Sequence, residues 1–410
     1  MAQLKVEAEP GEVGFDSERL QRVPGHLRRY VDDGRLAGWT VAVARHGKVA
    51  LLEHHGRADL EADRPVDDGT LWRIYSMTKP ITSVAALMLY ERGLLELTDP
   101  VARFIPEFAE PRVYRAGSAL APATVPAVEP IRIWHLLTHT AGLTYGFHHT
   151  SPVDEMYRGK GFEFAAPNGM DLASACAGWA ALPLLFHPGT EWNYSVATDV
   201  LGRVVEVVSG QPLDRFLAEH VFGPLDMTDT GFWVTPEDLD RLAALYLPNP
   251  RGGLSRSAAM GDAVTRPPAF LSGGGGLVST AADYHRFTQL LARGGELAGV
   301  RLLSPRTVAY LARNHLPGNA DLEAFGRPVF AESTVRGVGF GLGVSVVIDP
   351  AAVRGLTSVG EYAWGGLAST AFYVDPVEEI TAMFFTQLMP SSTYPIRSQL
   401  RTLVNQALVD

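Results

Sequence analysis

One cysteine stands among 410 residues, so no disulfide can close within the chain and no thiolate metal site can form. That residue, Cys176, sits in an alanine-rich helical stretch and reads as a small core side chain; a catalytic thiol is the other reading, and no motif supports it. No apolar run approaches the roughly 18 residues that a membrane span needs. Lysine and arginine form no long cluster, and the net charge is −10, which argues against nucleic acid as a partner. The stretch Met1 to Pro10 lacks the apolar centre of a secretory signal, so the expected location is cytoplasmic. G-x-S-x-G is missing as well, which removes the ordinary α/β-hydrolase elbow.

Two other patterns are incomplete. His135 and His139 stand four apart, with His148 and His149 following, but no glutamate follows His135 and H-E-x-x-H is absent. These histidines are expected to cap and pack a helix and its loop rather than hold zinc. The four glycines at 273–276 lack G-K-S/T and read as a tight backbone turn, with phosphate a distant second.

What is present is a large apolar fraction, 46%, enough for one elaborate domain or two intimate ones. A first helix is expected from Ser17 to Asp33. Trp39–Ala44 and Val49–Glu53 are strand-like and flank His46-Gly47 at hairpin spacing. From Pro100 to about Pro250 the chain reads as helices and loops, and the irregular stretch Leu143–Asp171 is a candidate lid or pocket wall. Val196, Val200, Leu201, Val204 and Val208 mark a buried helix ending at Gly210. Strand patterns return at Phe340–Ile348, Ala368–Val374 and Ile380–Gln387, before a closing helix from Tyr394 to Leu408. The expected fold is therefore α/β of the α+β type. One antiparallel sheet is built from both chain ends and flanked by helices, with a mostly helical insertion. Residues 1–80 and 300–410 would form the sheet domain, residues 81–299 the helical one, with the active site in the cleft between them.

The chemistry centres on Ser76-Met77-Thr78-Lys79. The run Leu71–Tyr75 is extended, and Ile81, Val84, Leu87 and Met88 recur at helical spacing after Pro80. Ser76 thus falls where an extended run becomes a buried helix, with Lys79 on the same face one turn later. A hydroxyl is a weak nucleophile until a neighbour takes its proton, and a desolvated lysine can help. The plain alternative is a helix start with an exposed lysine. Tyr194, just ahead of the Val196 helix, is either an aromatic anchor or a base; a phenol titrates near about 10 and needs a cation beside it for the second role.

Several ordered segments resemble the serine β-lactamase and penicillin-binding-protein superfamily, most closely its family VIII carboxylesterases. Trp72–Pro80 is similar to the S-x-x-K block, Leu136–Leu143 to the next landmark, and Tyr194-Ser195-Val196 to the Tyr-x-Asn or Tyr-Ser-x block. Gly274–Tyr284 is another typical segment, and Trp364-Gly365-Gly366 stands in place of Lys-Thr-Gly. The resemblance implies a serine carboxylesterase for short-chain esters, with Ser76 as nucleophile and Tyr194, as phenolate or through Lys79, as base. The N–H groups of Ser76 and Leu367 would hold the oxyanion, Leu367 lying on the strand after Trp364-Gly365-Gly366. Tyr145 and Phe147 are candidates for the acyl-pocket wall. No metal or organic cofactor is implied, and the partner is a small-molecule ester, with no nucleic acid or membrane. Three alternatives stay open: an acyltransferase of the same fold, a β-lactamase or D-Ala-D-Ala carboxypeptidase, and a non-catalytic binding protein.

Two departures weigh on the second of these. Val196 replaces the asparagine of Tyr-x-Asn, and Lys160 is the last lysine, so no Lys-Thr-Gly can follow. Arg397 is a candidate for a compensating cation, with a solvated surface arginine as the plainer reading. A charge-assisted bond to a ligand carboxylate contributes about 1.5–3 kcal/mol, so its loss alone costs roughly ten- to hundred-fold. We therefore expect kcat/KM for nitrocefin to fall below that for p-nitrophenyl butyrate on one preparation. Equal or higher efficiency on nitrocefin would favour the β-lactamase alternative.

Overall fold

The computed structural model describes residues 4–164, 166–167, 169–327 and 336–410. Its centre is an eight-stranded antiparallel sheet. The strands are β1 (Gly38–Arg45), β2 (Lys48–Asp59), β3 (Arg64–Pro65), β4 (Val338–Phe340), β5 (Ser345–Val347), β6 (Tyr362–Gly365), β7 (Ala371–Asp375) and β8 (Ile380–Phe385). Their order is β4-β5-β6-β7-β8-β1-β2-β3, so the two chain ends meet where β8 pairs with β1, Thr40 opposite Phe385 and Arg45 opposite Ile380. The sheet is thus built from both ends of the chain, as the strand pattern predicts. His46 and Gly47 join β1 to β2 with φ of 52° and 73°, the left-handed pair that a two-residue hairpin of this twist demands.

Both faces of the sheet are covered, and the period of two assigns each side chain to one of them. Val41, Val43, Tyr373, Ala382 and Phe384 pack with the terminal helices α1 (Arg22–Asp32) and α6 (Ile396–Asn405). Ala42, Ala44, Phe372, Met383 and Phe385 face a larger core with α2 (Thr78–Glu91), α4 (Ala197–Ser209) and α5 (Ala281–Ala292). Helix α3 (Leu172–Ala180) buries Cys176 in that same core. Among the described residues, no helix is long and apolar enough to cross a membrane.

Local differences from the sequence reading have identifiable causes. The Ser17–Asp33 helix is two helices, Ser17–Leu20 and α1, meeting at Gln21. The run Phe340–Ile348 is not one strand: Gly343, at φ 95°, turns the chain between β4 and β5. Trp72–Arg73 pairs with Val278–Ser279 in a separate two-stranded ladder rather than joining the main sheet. A hairpin of Arg112–Ser118 with Ala121–Pro126 interrupts the helical middle; its residues are mostly exposed, so no burial period marks it. In the stretch 143–171, Ala165 and Asn168 lie outside the described residues, and the rest includes a helix at Pro152–Gly159.

Phe384 is fully buried between the sheet and the terminal helices. Its truncation to alanine leaves a ring-sized cavity, and such changes cost about 3–5 kcal/mol. Urea unfolding of Phe384→Ala is expected to show a lower midpoint at unchanged slope, the midpoint shift times the slope giving that free-energy loss; a midpoint equal to wild type would contradict this packing.

Candidate active site

Ser76 sits at the junction of three local structures. Trp72 and Arg73 are held as strand, Ile74 N–H donates to the Leu277 carbonyl at 3.0 Å, and Tyr75 turns the chain at φ 42°. That left-handed value is uncommon for a bulky side chain and persists only where surrounding contacts enforce it. A single 3₁₀ turn, Tyr75–Met77, then runs into α2. Buried Arg73 braces the approach by donating to the carbonyls of Ala243 at 2.6 Å and Gly261 at 3.0 Å, and burial lowers its pKa to about 10.

One turn into α2, Lys79 is 1% exposed. Its Nζ donates to the Gly274 carbonyl at 2.7 Å, to Tyr145 Oη at 3.1 Å and to Ser76 Oγ at 3.4 Å. It also lies 4.5 Å from the ring centroid of Tyr194. Tyr194 Oη stands 2.6 Å from Ser76 Oγ. The plain reading of Lys79 as an exposed surface lysine is therefore overturned. Ser76, Lys79 and Tyr194 are brought together, although 118 residues separate Ser76 from Tyr194 in the chain.

Tyr194 is fixed from behind. Asn193 Nδ2 donates to the Leu143 carbonyl at 3.0 Å, and His148 Nε2 donates to the Tyr194 carbonyl at 2.7 Å. His139, 1% exposed, packs its ring 5.0 Å from that of Tyr194 and places Nδ1 3.2 Å from Ser195 Oγ. Burial, then the charge of Lys79, pushes His139 well below the ordinary imidazole range, and burial lowers His148 too, so both are neutral supports. His139 and His148 pack the helix end and its loop, whereas His149 is exposed.

The glycine run forms a tight turn. Gly273 carbonyl accepts from Thr82 Oγ1 at 2.8 Å, and Gly274 N–H donates to Asp199 Oδ1 at 2.9 Å. A Cβ on Gly274 would fall 2.5 Å from Asp199 Oδ2, so the approach excludes any side chain. Asp199 was not legible as a site residue. Its one signal is an acidic residue inside the apolar run Val196–Val208, five positions after Tyr194.

Ser76, Tyr145, Phe147, Tyr194 and Leu367 line one cavity of about 420 Å³. The rest of its wall is largely apolar, including Phe164, Phe232, Met260, Val264 and Phe270. Tyr145 and Phe147 are wall residues, stacked at 4.8 Å, and Tyr145 is also a partner of Lys79, which sequence reading missed. Burial first, then Asp199 and Tyr194, holds the Tyr145 phenol well above its usual pKa, so it stays protonated. Trp364, Gly365 and Gly366 are not part of this wall. Trp364 packs against Tyr194, tilted, at 5.5 Å and meets Phe340 edge to face at 5.3 Å. Leu367 lies in the turn between β6 and β7, not on a strand. Arg397 is half-buried: its Nη2 donates to the carbonyls of Gly366 and Thr370, each at 2.9 Å, and so braces that turn.

The Beta-lactamase family model matches residues 23–406. The chain belongs to the β-lactamase family. Within the family it is 35% identical over 368 residues to Esterase EstB of Burkholderia gladioli, covering 86% of each chain. It is 37% identical over 368 residues to Protein Rv1367c of Mycobacterium tuberculosis, covering 89% of each. Among solved structures it resembles EstCE1, described as a hydrolase with promiscuous acyltransferase activity, at a TM-score of 0.80 and 29% identity, over 95% of this chain and 99% of that one. The β-lactamase-like fold, a large antiparallel sheet between helices, and the likeness to an esterase of that fold are thereby shown.

Proposed function

We propose that this β-lactamase-family protein is a serine carboxylesterase that works through an acyl-enzyme on Ser76. The observation that carries the reading is the 2.6 Å approach of Tyr194 Oη to Ser76 Oγ beside the buried Lys79, at one end of an apolar cavity. Tyr194 takes the proton of Ser76 as Oγ attacks the ester carbonyl. The ammonium of Lys79, over the Tyr194 ring, stabilises the phenolate. The carbonyl oxygen becomes an oxyanion held by the N–H groups of Ser76 and Leu367. Tyr194 then returns the proton to the departing alkoxide, and the alcohol leaves. Water gives a proton to Tyr194 as it attacks the acyl-enzyme, and Tyr194 returns that proton to Ser76 Oγ as the acyl–oxygen bond breaks, which releases the acid and restores both Ser76 and the phenolate.

The lining supports the substrate class. A wall of Phe164, Phe232 and Phe270 favours an uncharged acyl group over an anionic lactam. An alcohol replacing water in the second half-reaction would give acyl transfer with the same residues, and the likeness to EstCE1 favours keeping that reading. A panel of p-nitrophenyl esters of increasing chain length, with and without alcohol acceptors, separates the two.

Ser76→Ala is expected to lower p-nitrophenyl butyrate hydrolysis to near background, since loss of a nucleophile that acts with its base costs on the order of a million-fold. A serine-directed phosphonate should add one adduct to the wild-type protein, mapping to Ser76 by peptide mass. An adduct on another residue, or none, would overturn the assignment.

A further inference from the structure

Asp199 lies on the first turn of α4, 2% exposed, with its carboxylate turned toward the glycine loop. Ser272 Oγ donates to Oδ1 at 2.6 Å and Gly274 N–H donates to the same oxygen at 2.9 Å. Gly274 thus offers its N–H to Asp199 and its carbonyl to Lys79 Nζ, at 2.7 Å. A buried carboxylate on the far side of the residue that seats the lysine is an expensive arrangement, because each ion loses its hydration. Both bonds that Oδ1 accepts come from the three-residue turn, Ser272 to Gly274, that seats Lys79.

We infer that Asp199 is a positioning residue for the proposed Ser76 chemistry, one that seats the Gly274 carbonyl and holds Lys79 as an ammonium. The inference rests on the esterase reading above and deepens it. It makes Lys79 the cation beside Tyr194, not the base. The geometry agrees, since an acceptor-only carbonyl takes the shortest of the three Lys79 bonds given above and Ser76 Oγ the longest. Burial raises the Asp199 pKa, and the charge of Lys79 and the bonds from Ser272 and Gly274 oppose that rise. Other titratable groups facing this carboxylate are Tyr145 from its loop and Cys176 from α3; burial first, and then its charge, raises both. Arg203 and Glu206, on later turns of α4, pair with each other at 2.9 Å.

Asp199→Asn is isosteric and keeps an acceptor for Gly274 N–H while removing the charge. The test measures kcat/KM for p-nitrophenyl butyrate against pH, together with NMR titration of lysine labelled with ¹³C at Cε, in a chain of four lysines. Without the anion, the ammonium deprotonates more readily. The alkaline limb should move about one unit or more toward acid, on the order of a ten-fold loss on that side, and the Lys79 resonance should titrate correspondingly lower. Ser272→Ala, which keeps the charge, should leave the alkaline limb in place. An unchanged alkaline limb in Asp199→Asn makes Asp199 a loop anchor only. Greater activity at neutral pH with no alkaline loss makes Lys79 a neutral base. Either result overturns the inference, and so does a wild-type Lys79 that titrates as a neutral amine below pH 7, whether or not the variant folds. Phosphonate labelling of the wild-type protein at Ser76 remains as the separate check: its failure sinks the esterase reading, whereas labelling with an unmoved pH profile sinks only Asp199.

Discussion

A lysine ammonium taken out of water loses several kcal/mol of hydration unless polar atoms replace it. Lys79 is 1% exposed, and the groups around its nitrogen explain much of the local architecture. The Gly274 carbonyl needs a turn with no side chain on its inner surface, hence the glycine run and its anchoring to Asp199 and Thr82. The Tyr145 hydroxyl needs a loop brought in beside α2, and that loop is stitched to Asn193 and through His148 to the carbonyl of Tyr194. Satisfying one buried cation therefore also sets the distance between Tyr194 and Ser76.

The opposite side of the site has a different origin. Ser76 follows a short ladder with Val278–Ser279, while Leu367 belongs to the turn that leaves β6 for β7. Arg397, on the terminal helix α6, bonds the carbonyls of Gly366 and Thr370 at the two ends of that turn. The terminal helix is thus tied to the site as well as to the sheet. Between the two sides lies a cavity whose wall is mostly aromatic and aliphatic, with Arg73, Glu163 and Asp199 the charged residues along it.

Much of this was readable in the chain. The sheet made from both ends follows from strand-like runs at 39–44, 49–53, 368–374 and 380–387, and Ser76 with Lys79 follows from one helical turn placed after an extended run. Tyr194 was legible as a candidate through its place before a buried helix. Asp199 was not, because an acidic residue in a largely apolar helix that also carries Arg203 and Glu206 gives no sign of whether it meets solvent or a cation 120 residues away in the chain. The role of Tyr145 was half seen: an aromatic residue in a loop suggests a wall, while a hydroxyl bonded to Lys79 depends on contacts 66 residues apart. The bonds of Arg397 to the carbonyls of Gly366 and Thr370 were not legible for the same reason, since a helix-borne arginine gives no sign in sequence of a distant turn. The single strand expected at 340–348 failed because glycines inside it were read as strand residues, and Gly343 instead reverses the chain.

The account stands on Tyr194 taking the proton of Ser76. Tyr194→Phe keeps the ring that packs on His139 and Trp364 and removes only the hydroxyl. Its rate of acylation by p-nitrophenyl butyrate, followed by the first-turnover release of nitrophenol, is the direct measurement. The account predicts a loss of about a hundred- to ten-thousand-fold with an unchanged melting temperature. A folded Tyr194→Phe protein that acylates at close to the wild-type rate would contradict it.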